Sequence, residues 1–140
     1  MSGAPSPSCT SGRAKIQRLI EAAKTTPLGD GRQATDDPVL RQELARVYME
    51  GELLKLISDR AISAEVHGRA MGPEGSIAKL LWSEAEQHIN EVAADVLGPD
   101  ALSGPWARDR VYSRALTIAG GTTQVNKNIV AQRILGLPRN

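Results

Sequence analysis

Apolar residues recur every three or four positions through most of this chain, and that spacing is the period of an α-helix. The longest run of this kind begins after Asp37 and Pro38 and extends to His67, just before Gly68. Its members are Leu40, Leu44, Val47, Gly51, Leu54 and Ala61. No segment shows the sustained alternation of period two that a half-buried β-strand would have. The pattern therefore predicts a fold in which helices pack on helices.

Glycine, proline and capping residues divide the rest of the chain into further helical segments. They predict a short leading helix over about residues 13–25 and later helices over about 73–97, 106–118 and 123–135. Residues 27–37 are predicted to form a loop, in which Asp36 or Asp37 caps the long helix and Pro38 lies in its first turn. Four main helices joined by short loops predict an all-α fold, an antiparallel four-helix bundle with a short leading helix.

Four residues inside these predicted helices carry structural expectations. Gly51 lies in the middle of the long helix, where glycine costs about 1 kcal/mol relative to alanine, and close approach of a neighbouring helix is the expected reason. His88 lies on an apolar stripe and is expected to be a packed or interface histidine. Trp82 and Trp106 are expected to anchor the core or a subunit interface.

The composition is that of an ordinary globular domain, with 140 residues, 41% hydrophobic residues and a formal net charge of +1. This charge balance gives no reason to expect nucleic acid as a partner. Residues 1–12 are rich in Ser, Pro and Gly and are predicted to form a disordered tail, which leaves 13–140 as one helical domain. One cysteine, Cys9, and two histidines without ligand spacing predict neither a disulfide nor a metal site.

The chain contains neither a long uninterrupted apolar segment nor a visible signal peptide. We therefore expect no membrane as a partner. A cytoplasmic location fits this pattern and the single cysteine.

The last third of the chain carries its most distinctive motif. A helical pattern stops at Gly120 and Gly121, and Thr122 and Thr123 open a second amphipathic helix. Two glycines permit close backbone approach, and the helix that follows presents unpaired N–H groups and the positive end of its dipole. Such a tip suits a phosphate or pyrophosphate group. Taken alone, the same residues also fit a plain corner between two helices, with Thr122 or Thr123 as the N-cap.

Residues 113–139 resemble the C-terminal signature of the acyl-CoA dehydrogenase family, which reads roughly T-I-A-G-G-T-S-E-I-Q-R-N-I-I-A-E-R-V-L-G-L-P-R. Residues 37–45 are similar to the family's D-P-V-x-R-Q-x-L-A segment, and residues 72–84 to its G-P-E-x-S-I-A-K-L-x-W-S-E segment. Residues 97–102 lie where the family has an L-G-G or L-G-P turn. The resemblance implies the C-terminal helical domain of a larger subunit, which forms the oligomer core and covers one side of the flavin.

The resemblance also implies a set of cofactor-binding residues. FAD, in an intact assembly, would be contacted by Gly120, Gly121, Thr122 and Gln124. Many members carry their catalytic base, a glutamate, at the first position of an E-G-T run, and here that position is Gly120. Other members carry the base on the first helix of this domain, where the first glutamate of this chain is Glu21, well inside the helix. No catalytic residue and no metal ligand is therefore assigned.

A loop of this chain departs from the family pattern. Many members use an arginine in an R-x-x-F-G loop to reach the FAD of the neighbouring subunit. The corresponding residues here are 26–32, in which Arg32 is the candidate substitute.

The implied function is FAD-dependent α,β-desaturation of an acyl-CoA thioester. This chain would be the C-terminal portion, inactive alone, in a homo-oligomer or a hetero-oligomer with a fuller flavoprotein subunit. Three alternatives stay open: a non-catalytic helical partner subunit, a flavin-dependent monooxygenase of the same fold, which needs no glutamate base, and a plain helical interaction module.

Overall fold

The structure is a computed structural model that describes residues 12–29, 31–69 and 72–138. Within these residues the chain forms five α-helices: α1 (Gly12–Thr25), α2 (Pro38–Val66), α3 (Glu74–Leu97), α4 (Gly104–Leu116) and α5 (Thr123–Arg133). The all-α prediction is confirmed. The predicted tail, with Cys9, lies outside the described residues except for Gly12, which the structure assigns to α1 instead.

The helix ends follow local capping chemistry. Asp37 caps α2, because its carboxylate accepts hydrogen bonds from the backbone N–H groups of Val39 at 2.8 Å and Leu40 at 3.0 Å. The predicted loop before it contains a 3₁₀ turn at Ala34–Asp36, and a second 3₁₀ turn, Gly98–Leu102, follows α3. Helix α4 begins two residues earlier than predicted, because Pro105 fits its first turn.

Helix α3 is the centre of the fold and packs against all four other helices. Helices α2 and α3 pack against each other as a hairpin, and α1 packs against both of them. The buried core lies between α1, the first half of α2 and the second half of α3. Its residues are Ile16, Leu19, Ala23, Ala34, Leu44, Val47, Ile89, Val92, Ala93 and Val96.

Gly51 lies where α1 packs against α2. A Cβ atom built at Gly51 would overlap the Cδ1 atom of Ile16, which is itself buried in the core. A neighbouring helix thus comes close to Gly51 as predicted, and a Cβ atom at this position would force the Ile16 side chain to shift.

Beyond Gly51 the second half of α2 and the first half of α3 carry apolar side chains that the chain does not bury. Leu53, Leu56, Ile62 and Val66 are each at least half exposed, and Trp82 is 43% exposed. A groove of about 660 Å³ continues from the first residue of α1 between these two half-helices. Of the apolar stripe predicted on α2, only the first half, with Leu44 and Val47, is buried in the core.

His88 joins α3 to α2 through two carboxylates. Its Nδ1 atom lies 2.8 Å from a carboxylate oxygen of Glu50, and its Nε2 atom lies 2.9 Å from a carboxylate oxygen of Glu43. Only an imidazolium has an N–H to donate to both acceptors. Burial lowers the pKa of His88, but the hydrogen bonds and negative charges of Glu50 and Glu43 outweigh burial and hold the pKa above its usual range.

This arrangement predicts a pH-dependent stability. A raised pKa in the folded state stabilises the fold fully below the ordinary histidine pKa of about 6.5, and the stabilisation is lost as the pH rises through the raised value. We expect His88→Gln to lower the free energy of unfolding by roughly 1 to 3 kcal/mol near pH 6 and by less near pH 9. Urea denaturation of both proteins at the two pH values measures this difference, and an equal loss at both would contradict the assignment.

Lys15 forms a second ionic contact between helices, which the sequence analysis did not predict. Its side chain is 8% exposed, and the Nζ atom lies 3.0 Å from Glu86 of α3 and 3.3 Å from Asp109 of α4. The same ammonium lies 5.7 Å from the ring centre of Trp106. A buried charge needs such partners, so Lys15 fixes α1 against α3 and α4.

The described residues contain neither a membrane-spanning helix nor a metal-binding cluster. Among their helices, none combines the length and the apolar character that crossing a membrane requires. Their His, Cys, Asp and Glu side chains form no group of three or more that could hold a metal ion.

Candidate functional site

The corner between α4 and α5 is built by two consecutive glycines in the left-handed region of backbone conformation. Gly120 has φ +69° and Gly121 has φ +96°, angles that residues with a Cβ rarely adopt. After Leu116 the chain turns, reverses through these glycines and enters α5 at Thr123. The sequence prediction of a break here is correct, and the four predicted cofactor residues lie together on the corner.

Thr122 is the N-cap of α5. Its hydroxyl oxygen accepts a hydrogen bond from the backbone N–H of Val125 at 3.3 Å. The N–H of Thr123 donates to the carbonyl oxygen of Thr117 at 3.2 Å. The chain's own groups therefore satisfy two donors of the first turn, while the hydroxyl proton of Thr122 is left available to donate outward.

Other donors of the corner have no acceptor within the described residues. These are the backbone N–H groups of Gly120, Gly121, Thr122 and Gln124. Gly120 and Gln124 are exposed, and Gly121 and Thr122 are half-buried. A concentration of unpaired N–H groups at the N-terminus of a helix attracts an anionic oxygen. The corner is thus chemically suited to a phosphate, although the four assignments to FAD stay predictions.

The carbonyl oxygen of Gly121 is held from two sides. The ammonium of Lys79, on α3, donates to it at 2.6 Å, and the side-chain amide of Asn126 donates to it at 2.9 Å. The Asn126 amide also donates to the carbonyl oxygen of Thr122 at 3.1 Å, and Asn126 is 5% exposed. Sequence reasoning missed both residues. Lys79 stood within a recognised segment, but its spacing alone could not reveal a partner 42 positions away.

Neither of the positions at which the resemblance places the base provides a free carboxylate. Gly120, at the first of them, has no side chain. Glu21, the first glutamate of α1, lies at the surface and pairs with Lys24 of the same helix at 2.7 Å. Arg32 is exposed in the loop before α2, with its backbone carbonyl accepting from the N–H of Leu28 at 2.9 Å.

Comparison with known proteins shows the family to which this chain belongs. Residues 8–135 match the family model for the acyl-CoA dehydrogenase C-terminal domain. The chain belongs to the acyl-CoA dehydrogenase family. This acyl-CoA dehydrogenase domain is 34% identical over 133 residues to the acyl-CoA dehydrogenase IpdE1 of Mycobacterium tuberculosis, with 89% of this chain and 32% of the relative covered.

Solved structures agree with this assignment. The domain matches a chain of the ChsE4-ChsE5 complex from Mycobacterium tuberculosis with a TM-score of 0.79 and 27% identity, covering 92% of this chain and 36% of that chain. It matches the FAD complex of PigA with a TM-score of 0.81 and 22% identity, covering 90% and 33% of the two chains, a likeness that shows the shared fold. The acyl-CoA dehydrogenase chain described here thus spans about a third of the length of the proteins that it matches.

Proposed function

We propose that this chain supplies the C-terminal, FAD-contacting part of an acyl-CoA dehydrogenase assembly that introduces an α,β double bond into an acyl-CoA thioester. The observation that carries the proposal is the exposed corner with four unpaired backbone N–H groups, in a chain that matches the family model over residues 8–135. The matched structures include the FAD complex of PigA.

The residues of the corner would bind and orient the anionic part of FAD. The backbone N–H groups of Gly121, Thr122 and Gln124 would donate to phosphate oxygens, and the positive end of the α5 dipole would add a favourable field. The Thr122 hydroxyl would donate its free proton while it still caps the helix. When bound, FAD would supply the hydride acceptor that the reaction needs.

The chain is proposed to be inactive without a partner. Proton removal from the α carbon of a thioester needs a base near the acyl chain, and a glutamate raised in pKa by burial suits that task. Gly120 stands at the position where the resemblance places this glutamate, and Glu21 on α1 is paired with Lys24. The base would therefore come from another subunit.

The exposed apolar residues support an assembly. Large contiguous apolar patches rarely stay in contact with water, and they mark sites of subunit contact. Beyond Gly51, α2 exposes Leu53, Leu56, Ile62 and Val66, and α3 exposes Trp82. One matched structure is the ChsE4-ChsE5 complex from Mycobacterium tuberculosis. We therefore propose a hetero-oligomer with a fuller flavoprotein subunit, with a homo-oligomer as the alternative.

The test is co-expression with candidate fuller subunits, followed by measurement of FAD affinity in the purified assembly. Thr122→Val removes a donor to the phosphate, and we expect the Kd for FAD to rise about tenfold. Thr122→Ser keeps the hydroxyl and should bind FAD as the unchanged chain does. If the Thr122→Val assembly binds FAD as tightly as the unchanged assembly, the assignment of the corner is contradicted.

The missing base also favours two other functions of the same fold. A non-catalytic partner subunit would lend FAD contacts to another subunit's site, and a flavin-dependent monooxygenase would need no glutamate. Dye-linked oxidation of acyl-CoA by the assembly supports the dehydrogenase over the monooxygenase. Oxygen consumption with an organic substrate, without acyl-CoA oxidation, would support the monooxygenase.

A further inference from the structure

The ammonium of Lys79 has a backbone carbonyl, not a carboxylate, as its partner. Its ammonium is partly buried and donates to the carbonyl oxygen of Gly121 at 2.6 Å. Among the described residues it forms no ion pair with a carboxylate. It also lies beside the N-terminus of α5, where the helix dipole is positive and a second positive charge is unfavourable. The charge of Lys79 therefore adds to the positive potential at this end of α5.

The bond from Lys79 also fixes the direction in which the corner presents its donors. In a planar trans peptide the carbonyl of one residue and the N–H of the next point in opposite directions. Because the Gly121 carbonyl is directed toward Lys79 on α3, the N–H of Thr122 is directed away from α3. Asn126 donates to the same carbonyl at 2.9 Å and holds it in this orientation from α5.

We propose that Lys79 is a positioning residue for the anion site: it orients the Gly121–Thr122 peptide so that the Thr122 N–H faces the phosphate, and it contributes positive charge from behind the peptide. The inference rests on the proposed function for the identity of the anion as the FAD pyrophosphate. The orientation of the corner is independent of that identity and can be measured in the chain alone.

Three variants separate the two contributions. Lys79→Met removes the donors and the charge while it keeps a long apolar stem. Lys79→Arg keeps both the donors and the charge. Lys55→Met is the matched control, because Lys55 lines the same groove but pairs with Asp59 on its own helix at 2.8 Å.

The first measurement is amide hydrogen exchange in the full chain without cofactor. Thr123 and Val125 report on the corner, because their N–H groups are hydrogen-bonded within it. We expect Lys79→Met to speed their exchange about tenfold, and we expect Lys79→Arg and Lys55→Met to leave it near that of the unchanged chain. Unchanged exchange in Lys79→Met would overturn the orienting role. If the methionine variant fails to fold, Lys79→Gln takes its place.

The second measurement is the FAD affinity of the assembly with its fuller subunit. We expect Lys79→Met to raise the Kd about tenfold or more and Lys79→Arg to restore it close to the original value. Faster exchange together with an unchanged Kd would show a merely structural role and overturn the inference. If the unchanged assembly binds no FAD, the proposed function fails, while the exchange result still decides whether Lys79 orients the corner.

Discussion

Replacing Leu19 by alanine is expected to lower the free energy of unfolding by about 2 to 5 kcal/mol. The Leu19 side chain is completely buried, and it is the largest apolar side chain of the core that has no exposed surface. It lies in the middle of α1, which is the helix that closes the core over α2 and α3. Truncation would leave a cavity that the rigid hairpin can fill only in part.

Urea denaturation followed by circular dichroism measures this loss. Leu53→Ala is the matched control, because Leu53 lies on α2 and is 50% exposed, and its truncation should change the free energy of unfolding by only about 0.5 kcal/mol. If both variants lost the same small amount, α1 would not be docked as described, and the core would have to lie elsewhere.

Replacing Gly121 by alanine is expected to cost more stability than the same change at Gly120. Both glycines have a positive φ, so a Cβ atom is strained at either position by about 1 to 2 kcal/mol. At Gly121 the new Cβ atom would also lie 3.0 Å from the side-chain nitrogen of Asn126, whereas at Gly120 it would meet no atom within 4 Å. Asn126 would have to shift and weaken its bonds to the two carbonyl groups of the corner.

We therefore expect Gly121→Ala to lower the free energy of unfolding by roughly 2 to 4 kcal/mol and Gly120→Ala by roughly 1 to 2 kcal/mol. Chemical denaturation of the two variants side by side gives the comparison. In the assembly, the Gly121 variant should also bind FAD more weakly than the Gly120 variant. Equal losses in the two variants would mean that Asn126 does not hold the corner.

The local features of this fold were predictable from the sequence. Helix periods, the Asp37 cap, the glycine break and the close approach at Gly51 all depend on residues near one another in the chain or on side-chain size. The long-range partners were not predictable. The bond from Lys79 to Gly121, the position of His88 between Glu43 and Glu50, and the burial of Lys15 depend on which helix faces meet.

The exposed half of the α2 and α3 hairpin was also beyond sequence reasoning. An apolar stripe has the same pattern whether it faces the core of its own chain or a partner. Leu56 and Val66 are 62% and 77% exposed, whereas Leu44 and Val47 of the same helix are buried. The same ambiguity applies to the corner, since a capped helix start and an anion site share their residues. The proposed anion site rests on the bonds of Lys79 and Asn126 to the Gly121 carbonyl and on the unpaired N–H groups.

The corner and the missing base together suggest a division of labour between subunits. In the proposed function Gly120, Gly121, Thr122 and Lys79 belong to the cofactor site, while Gly120 stands where the family resemblance places the reactive carboxylate. A partner subunit that brings the base and the remaining walls of the pocket would complete the site. Neither subunit alone would then be expected to oxidise an acyl-CoA.

The most direct test of this division is an anaerobic titration of acyl-CoA thioesters into the purified assembly of this chain with its fuller partner, followed by flavin absorbance. We expect the assembly to contain FAD and at least one acyl-CoA to reduce it, while the chain alone holds no flavin and yields no enoyl product. An assembly without flavin, or one whose flavin stays oxidised with every acyl-CoA tested, would contradict the proposed function.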